Sequence, residues 1–228
     1  MSREEEIVEE VVETTTSGLV PQPSGGTFSP FRYPIFRAIW IANLFSNLGS
    51  TLQSVGAAWL MTELTPSHQL VALVQASATV PIMLFGMFAG AIADNYDRRR
   101  VMLAAQVGML TVSAALAALT YAGWISPFLL LAFTLTVGAG TALNSPAWQA
   151  SVRQQVAPKE IPQAIALNSI SFNIARSIGP ALGGVLISLF DVSFAFAMNA
   201  VSYIGLIGVL LWWRPEARQI ERRPILPA

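Results

Sequence analysis

The sequence predicts an all-α integral membrane protein with six transmembrane helices. Three observations lead to this prediction: few charged residues, six long apolar segments, and a one-sided distribution of arginine and lysine. Only 11% of the 228 residues are charged and 54% are hydrophobic, with a mean hydropathy of +0.55. A soluble domain carries about 25% charged residues, so this composition indicates a protein that spans a membrane.

Six apolar segments follow the first thirty residues, and each is long enough to cross a bilayer, which takes about 20 helical residues. The longest turn between them, 147–163, interleaves apolar and charged residues. That pattern fits a short interfacial helix ending at Pro158, and a plain loop equally well. The predicted spans are residues 35–61, 70–93, 101–122, 127–146, 164–189 and 194–213.

The basic residues predict the orientation, because Lys and Arg beside a span are retained on the cytoplasmic side. Alternation from the turn Arg98–Arg100 places twelve of the thirteen basic residues on cytoplasmic segments. The three outer turns carry only Glu63 and Asp191 as charges. We therefore expect a multi-pass protein of the plasma membrane, in contact with lipid, whose two termini are both cytoplasmic.

The chain divides into three regions by composition. Residues 1–30 hold six glutamates against one arginine and then a stretch rich in Thr, Ser, Gly and Pro, which predicts a disordered acidic tail. Residues 31–213 form the six-helix transmembrane domain. Residues 214–228 form a polar tail that contains arginine and proline, either a cytoplasmic terminus or the start of a linker.

Several classes of function are disfavoured by what the sequence holds. There is no cysteine, a single histidine and no formal net charge, so we expect no metal site, no cofactor and no nucleic-acid partner. Nucleophile–base pairs, phosphate-binding glycine loops and paired intramembrane carboxylates are also missing, so we expect no catalytic residues and no enzyme activity.

Polar and small side chains recur at helical spacing in three spans. A polar group in hydrocarbon must be paired or face water, so we expect Asn43, Asn47 and Asn173 to line a common wet cavity. Helix packing is the alternative, and it is at least as favourable for the milder stripe of the fourth span. The stripes are Asn43, Asn47, Ser50 and Ser54; Thr134, Gly138, Thr141 and Ser145; and Ser169, Asn173, Arg176 and Pro180.

Arg176 is the basic residue that lies within a span. Inserting an arginine near the middle of a membrane costs about 2.5–3.5 kcal/mol, and no Asp or Glu lies at membrane depth to pair with it. Its partner is therefore a substrate anion, an acid on another chain, or nearby amide and carbonyl groups. The planar guanidinium favours an anionic substrate.

Glycines mark two further positions. Gly179 and Gly183 permit close helix approach beside Pro180, which weakens the helix hydrogen bonding, and Gly184 follows directly. We expect a flexed, tightly packed fifth helix there, either for rocking of the bundle or as a plain packing kink. Gly86 and Gly90 are expected to permit the same close approach in the second span.

The turn between the second and third spans resembles the loop signature of the major facilitator superfamily, as Gly90-x-x-x-Asp94-x-x-x-Arg98-Arg99-Arg100. The Gly179-Pro180-x-x-Gly183-Gly184 segment is similar to a signature of its antiporters. Further matches over about residues 29–213 are similar to its enterobactin-exporter-like efflux branch. They are Trp59-Leu60-x-x-Glu63-Leu64-Thr65, Asn144-Ser145-Pro146-Ala147-Trp148-Gln149-Ala150, and Ala166-Leu167-Asn168-Ser169-x-x-x-Asn173-x-Ala175-Arg176.

The resemblance implies a secondary transporter of a bacterial inner membrane that exports a small molecule, driven by protons, through alternating access. It implies a gate at the loop, in which Arg98 holds Asp94 near the positive N-terminus of a facing helix. Topology alone is the other explanation of the arginines. Two positions depart from the family pattern: Asp97 replaces a glycine, and Thr134 replaces an arginine of many proton antiporters.

Members of this family have about twelve spans in two six-span halves, each made of two inverted three-helix repeats. The six predicted spans therefore resemble an N-terminal half, whose partner is a second six-helix half. A six-span homodimeric transporter and a truncated protein without transport activity are the alternatives.

Overall fold

The computed structural model describes residues 26–214, apart from the side chains of residue 87 and residues 91–94. These residues form six α-helices and three 3-10 helices, and none of them is in a β-strand, which confirms the all-helical prediction. The α-helices are α1 (Pro34–Leu64), α2 (His68–Asn95), α3 (Arg98–Tyr121), α4 (Pro127–Ser151), α5 (Ile161–Leu189) and α6 (Val192–Trp212). The 3-10 helices are Ser29–Arg32, Val152–Gln154 and Pro158–Glu160.

The predicted tails lie mostly outside the described residues. Of the stretch 1–30, the described part already contains the start of a 3-10 helix at Ser29 and a buried side chain at Pro30. Ser29 and Pro30 therefore belong to the folded part of the chain. Of the stretch 214–228, only Arg214 is described.

Five helices, α2 to α6, are long and apolar enough to cross a membrane. Helix α1 is not among them, although it is the longest described helix at 31 residues. Its asparagines, serines and Gln53 lower its hydropathy, and Asn43, Asn47, Ser50 and Ser54 among them form the predicted polar stripe of the first span. A sixth membrane span remains a prediction.

The helices pack in the series α2–α4–α3–α6–α1–α5, with smaller contacts from α1 to α2 and α4. Helices α2 and α5 stand at the ends of this series, so each is covered mainly on one side. Both keep large apolar side chains exposed, among them Met83 (83% exposed) and Phe88 on α2 and Phe172 and Leu182 on α5.

Helix α6 lies at the centre because glycines on α1 let it come close. A Cβ added at Gly49 would lie 2.6 Å from Ser202 Oγ, and one at Gly56 would lie 3.1 Å from the Phe196 ring. Phe196 is fully buried in an apolar cluster drawn from five helices. These contacts were not predicted, because the sequence does not say which helix a small residue faces.

A buried polar network joins α1, α3 and α6. Ser113 Oγ donates to Gln53 Oε1 at 2.7 Å, and Asn199 Nδ2 donates to the same oxygen at 2.6 Å. Asn199 Nδ2 also lies 3.1 Å from the Tyr203 hydroxyl. All four side chains are buried. The satisfied network removes the cost of unpaired polar groups inside the bundle. Gln53 therefore holds α1, α3 and α6 together inside the bundle.

The structure tests one predicted turn and one predicted polar stripe. Helix α4 continues through Pro146 to Ser151, so the turn 147–163 is neither a separate interfacial helix nor a plain loop. In the fourth-span stripe, a Cβ at Gly138 would lie 2.7 Å from the Ala78 carbonyl oxygen of α2. Gly138 therefore serves helix packing, the alternative that the sequence held to be at least as favourable as cavity lining for this stripe.

Candidate functional site

The candidate site lies at the end of the bundle where α3 begins and α4 and α6 end, called here the arginine-bearing end. Only Tyr96 and Asp97 separate α2 from α3. Asp97 is the N-cap of α3, and its Oδ1 accepts a hydrogen bond from the Arg100 backbone N–H at 2.9 Å. The residue that departs from the family's glycine therefore satisfies an orphan donor of the helix.

Two arginines of this turn bind the ends of neighbouring helices. Arg98 Nη1 donates to the Ala150 carbonyl oxygen at 3.1 Å, near the end of α4. Arg99 donates from Nε to Leu210 O at 2.6 Å and from Nη2 to Leu211 O at 2.9 Å, in the last turn of α6. Carbonyl groups at a helix C-terminus lack intrahelical partners and carry partial negative charge, so they suit guanidinium groups.

Gly90 and Asp94 lie in the last turns of α2. The Asp94 side chain falls outside the described part of the structure, and with it the predicted contact to Arg98. The prediction that Gly86 and Gly90 permit close packing is wrong within the described bundle. A Cβ at either residue would meet no heavy atom within 4 Å, because α2 turns this face away from its neighbours.

The segment before α1 is fastened to the start of α5. Arg32 Nη2 lies 2.8 Å from Glu160 Oε1, and Glu160 is only 1% exposed. Trp40 Nε1 donates to Leu167 O at 2.9 Å, and Phe31 packs edge-on against the Trp40 ring. The chain therefore enters α1 beside the first turns of α5.

A groove of about 860 Å³ opens between the end of α4 and the first half of α5. Apolar side chains such as Phe172 form part of its wall. None of its described lining residues is acidic. Its charged and amide-bearing lining residues are Arg98, Gln149, Arg153, Asn168 and Asn173. The structure thus brings Arg98 and Asn173, which the sequence assigned to a gate and to a cavity, to a single basic groove.

Helices α1 and α5 run side by side in the same direction. Trp40 contacts Leu167, and Thr51 faces Gly179, so contacting residues are offset by 127 or 128 positions along the chain. The constant offset means that residues on the two helices can be assigned to common levels across the bundle.

The four residues predicted to line a cavity fall at neighbouring levels. By this offset, Asn47 on α1 lies level with residue 175 of α5, between Asn173 and Arg176. At 3.6 residues per turn, the polar stripes of both helices face the same side of the pair. Asn43 and Asn47 are half-buried, whereas Asn173 and Arg176 are exposed. The side on which these residues meet is open within the described part of the chain.

Arg176 keeps an uncompensated charge among the described residues. Its guanidinium carbon lies 5.5 Å from the centroid of the Phe172 ring. The described residues form one ion pair, Arg32–Glu160, which does not involve it. An exposed cation–π contact contributes about 0.5–1 kcal/mol, less than the cost of about 2.5–3.5 kcal/mol for placing arginine near mid-membrane. Water or a further partner must therefore supply the difference.

The glycines of α5 divide into packed and open positions. A Cβ at Gly179 would lie 2.6 Å from Thr51 Cγ2, and one at Gly183 would lie 3.2 Å from Val55 Cβ. At Gly184 a Cβ would meet no heavy atom within 4 Å. Helix α5 continues through Pro180 without a break. Gly179 and Gly183 thus lie on the face of α5 that contacts α1.

The chemistry that this end can offer is binding. Among the side chains that the structure describes, no cluster of three His, Asp or Glu is placed to hold a metal ion. What the groove and the α1–α5 stripe do present is guanidinium, amide and aromatic groups beside apolar walls, a combination suited to recognising a small polar or anionic molecule.

Comparison with known proteins finds relatives that are named as transporters, exporters or efflux proteins. The family model described as "Transmembrane secretion effector" matches residues 25–224. The chain is 34% identical over 167 residues to the staphyloferrin A transporter of Staphylococcus aureus, covering 72% of this chain and 41% of that protein. It is 28% identical over 184 residues to the enterobactin exporter of Citrobacter koseri, covering 78% and 43%. It is 20% identical over 176 residues to macrolide efflux protein A of Streptococcus pyogenes, covering 77% and 42%.

An apolar helix bundle with an arginine-rich turn and a polar open side, matched to transporters, defines a multi-pass membrane protein of a transporter class. The chain belongs to the major facilitator superfamily, in the branch of efflux transporters that includes these relatives. It spans less than half the length of each of the three relatives named above.

Proposed function

We propose that the chain forms one six-helix half of a proton-driven exporter, which moves a small molecule across the bacterial inner membrane by alternating access. The observation that supports this proposal is the open, polar side of the α1–α5 pair, on which Asn173 and Arg176 are exposed at levels neighbouring those of Asn43 and Asn47. In a transporter built from two halves, the substrate site lies between them, on the face that each half leaves uncovered.

The packing of the helices supports the half-transporter architecture. The pattern of the main helix contacts is unchanged when the labels of α1 and α4, of α2 and α5, and of α3 and α6 are exchanged. The α2–α4 contact then becomes the α5–α1 contact, and the α1–α6 contact becomes the α4–α3 contact, and all four contacts are observed. The α3–α6 contact maps onto itself. This internal correspondence is what two inverted three-helix repeats would produce, with α1 as the sixth span.

The orientation and the gate follow from the arginines. We assign the arginine-bearing end and both termini to the cytoplasm, because basic residues beside spans are retained there. The segment from Gly90 to Arg100, which contains Asp94 of the loop signature, then forms a cytoplasmic gate, with Arg98 and Arg99 fixing the start of α3. A proton-carrying carboxylate would come from the second half.

For the substrate we propose a small anionic molecule. Arg176 offers a charge that no described acid compensates, and Arg98 and Arg153 line the nearby groove. Two relatives are named for transport of staphyloferrin A and enterobactin, which supports a low-molecular-weight cargo without identifying the one used here.

Two other functions remain in competition. In the first alternative the protein is a six-span homodimer, and a second copy covers the open side. The dimer should then survive mild detergent, and the Arg176→Ala variant should lose transport. A truncated, non-transporting protein predicts no transport and no effect of that change.

The size of the native product tests the proposal. An immunoblot of native membranes with an antibody against residues 1–30 should show a band of roughly twice 24.5 kDa if a second half is fused to this one. A band at 24.5 kDa would exclude the fused half. Cross-linking in the same membranes would then distinguish the homodimer from the truncated protein.

A further inference from the structure

The groove at the arginine-bearing end carries positive charge, and none of the acidic side chains that the structure describes lines it. Arg153 is exposed, and its side chain makes no hydrogen bond or ion pair with a described residue. Arg98 uses Nη1 on the Ala150 carbonyl, and no bond to a described residue engages its Nη2. Arginine clusters of this kind recognise acidic peptide segments and phosphate groups.

A peptide that carries carboxylates fits this surface. Its side-chain oxygens can accept hydrogen bonds from the guanidinium groups of Arg98 and Arg153, beside an apolar wall that includes Phe172.

The same chain contains such a peptide. Residues 4–13 hold six glutamates and no basic residue. The first described residue after them, Gly26, precedes the 3-10 helix Ser29–Arg32. Arg32 pairs with Glu160, and the next residue, Ile161, lines the groove. The N-terminal segment therefore leaves the bundle at the edge of the groove.

The connecting chain is long enough. Twelve residues lie between residue 13 and Gly26, and the thirteen steps that join these two positions can span at most about 43 Å at about 3.3 Å per step. A random coil of thirteen steps has a typical end-to-end distance of about 20 Å, nearly twice the diameter of a helix. Tethering at this distance gives an effective concentration in the millimolar range, so weak ion pairs suffice for occupancy.

We propose that residues 4–13 dock in this groove as an internal acidic ligand of Arg98 and Arg153. This docking goes beyond export itself and does not depend on the substrate. The docked segment covers the groove wall that contains Asn173, so it competes with any free anion for the same guanidinium groups. Its occupancy falls with ionic strength, because screening shortens the Debye length from about 10 Å at 0.1 M salt to about 3 Å at 1 M.

The absence of cysteine from the sequence allows a direct distance measurement. Spin labels would be attached to the full chain in nanodiscs at Glu9→Cys and Gln149→Cys, the latter on the groove wall. The matched control pairs Glu9→Cys with Tyr121→Cys, an exposed site at the opposite end of α3. We expect a short, narrow distance for the groove pair in 0.1 M salt and a long, broad distribution for the control pair.

Two variants decide the outcome. Replacing the six glutamates by glutamine leaves the bundle untouched and should abolish the short distance, as should 1 M salt. Arg153→Gln should reduce the short-distance population several-fold while the circular dichroism spectrum stays unchanged. A short distance that survives the six glutamine changes overturns the proposal.

An anionic lipid headgroup is the competing occupant, and the lipid composition tests it. In nanodiscs of phosphatidylcholine and in nanodiscs containing phosphatidylglycerol, we expect the same short distance at equal ionic strength. A short distance that is never seen, or that disappears when phosphatidylglycerol is added, assigns the groove to another occupant and overturns the proposal.

Discussion

Arg99 and Leu210 lie 111 residues apart in the sequence and are joined by a 2.6 Å hydrogen bond from Nε to the carbonyl oxygen. A second bond reaches Leu211 at 2.9 Å. The arginine-rich turn is thus clamped to the C-terminus of α6, the helix at the centre of the bundle. This contact gives Arg99 a part in stability that is separate from topology and from gating.

Replacing Arg99 should therefore destabilise the bundle. Hydrogen bonds to charged groups contribute about 1.5–3 kcal/mol, and partial exposure reduces this, so we expect Arg99→Gln to cost about 1–2 kcal/mol. The measurement is thermal unfolding of the purified protein in detergent. Arg100→Gln is the matched control, because Arg100 is exposed, and it should change stability by less than about 0.5 kcal/mol. Equal losses in both variants would contradict the clamp.

Asp97 should behave as a helix cap and tolerate the family's glycine. Loss of a capping side chain to alanine costs typically about 1 kcal/mol, whereas glycine costs only a few tenths. We expect Asp97→Ala to lower the unfolding temperature clearly and Asp97→Gly to lower it slightly. If glycine proved as harmful as alanine, the role of Asp97 would lie elsewhere than in the bond to the Arg100 N–H.

The helices could be predicted closely from the sequence, because each is a long apolar run bounded by charge, glycine or proline. The end of α4 could not, since Pro146 breaks the pattern without ending the helix. Which helix faces which could not be predicted either. The sequence does not show that Gly49 packs against α6. It also does not show that Asn199 is hydrogen-bonded to Gln53 and Ser113 on other helices.

Gly179 and Gly184 should respond oppositely to an added methyl group. A Cβ at Gly179 would lie 2.6 Å from Thr51, a β-branched and therefore stiff side chain, and overpacking of this kind costs about 1–3 kcal/mol. Gly184 faces open space, so alanine there gains helix propensity of about 1 kcal/mol. We expect Gly179→Ala to unfold at a lower temperature and Gly184→Ala at an equal or higher one. Equal shifts would show that α5 can move away from α1.

The candidate site could be predicted in part. Periodicity found the stripes of α1 and α5, and the register between these helices brings them to common levels. The groove was not foreseen, because Arg153 lies in a turn without a motif and the motif that contains Asn168 does not show what that residue faces. In the sequence, Arg153 cannot be distinguished from an ordinary surface arginine, because the sequence does not show which residues surround it.

Asp191 should give the first turn of α6 a pH-dependent stability. The Ser193 hydroxyl and the Phe194 N–H donate to Asp191 and hold its pKa below the usual 3.8, against the smaller opposing effect of burial. A lowered folded-state pKa stabilises the protein above the ordinary value, and this stability is lost as the pH falls through the folded-state pKa.

Thermal unfolding between about pH 3 and pH 6 measures this effect. Other carboxylates titrate in the same range, so the difference between the wild type and Asp191→Asn isolates Asp191. We expect the two unfolding temperatures to converge as the pH falls. Parallel curves would mean that the Asp191 carboxylate adds no stability through its charge.

Arg176 should decide which substrates a complete transporter exports. If its guanidinium recognises an anionic group, Arg176→Gln should reduce export of anionic substrates at least about tenfold, the equivalent of about 1.4 kcal/mol. Arg176→Lys keeps the charge but loses the planar fork, so it should impair anionic substrates and spare neutral ones. Efflux from loaded cells, measured for an anionic and a neutral compound in parallel, provides the readout.

Arg37→Gln is the matched control for Arg176, because Arg37 is also exposed but lies in the first turn of α1, away from the polar stripe. Export of both compounds should be unchanged in this variant. Equal loss of anionic and neutral substrates in Arg176→Lys would show that the residue supports the structure of α5 and does not select charge. The contact with Phe172 would then be its main role, and Phe172→Leu would reproduce the same uniform loss.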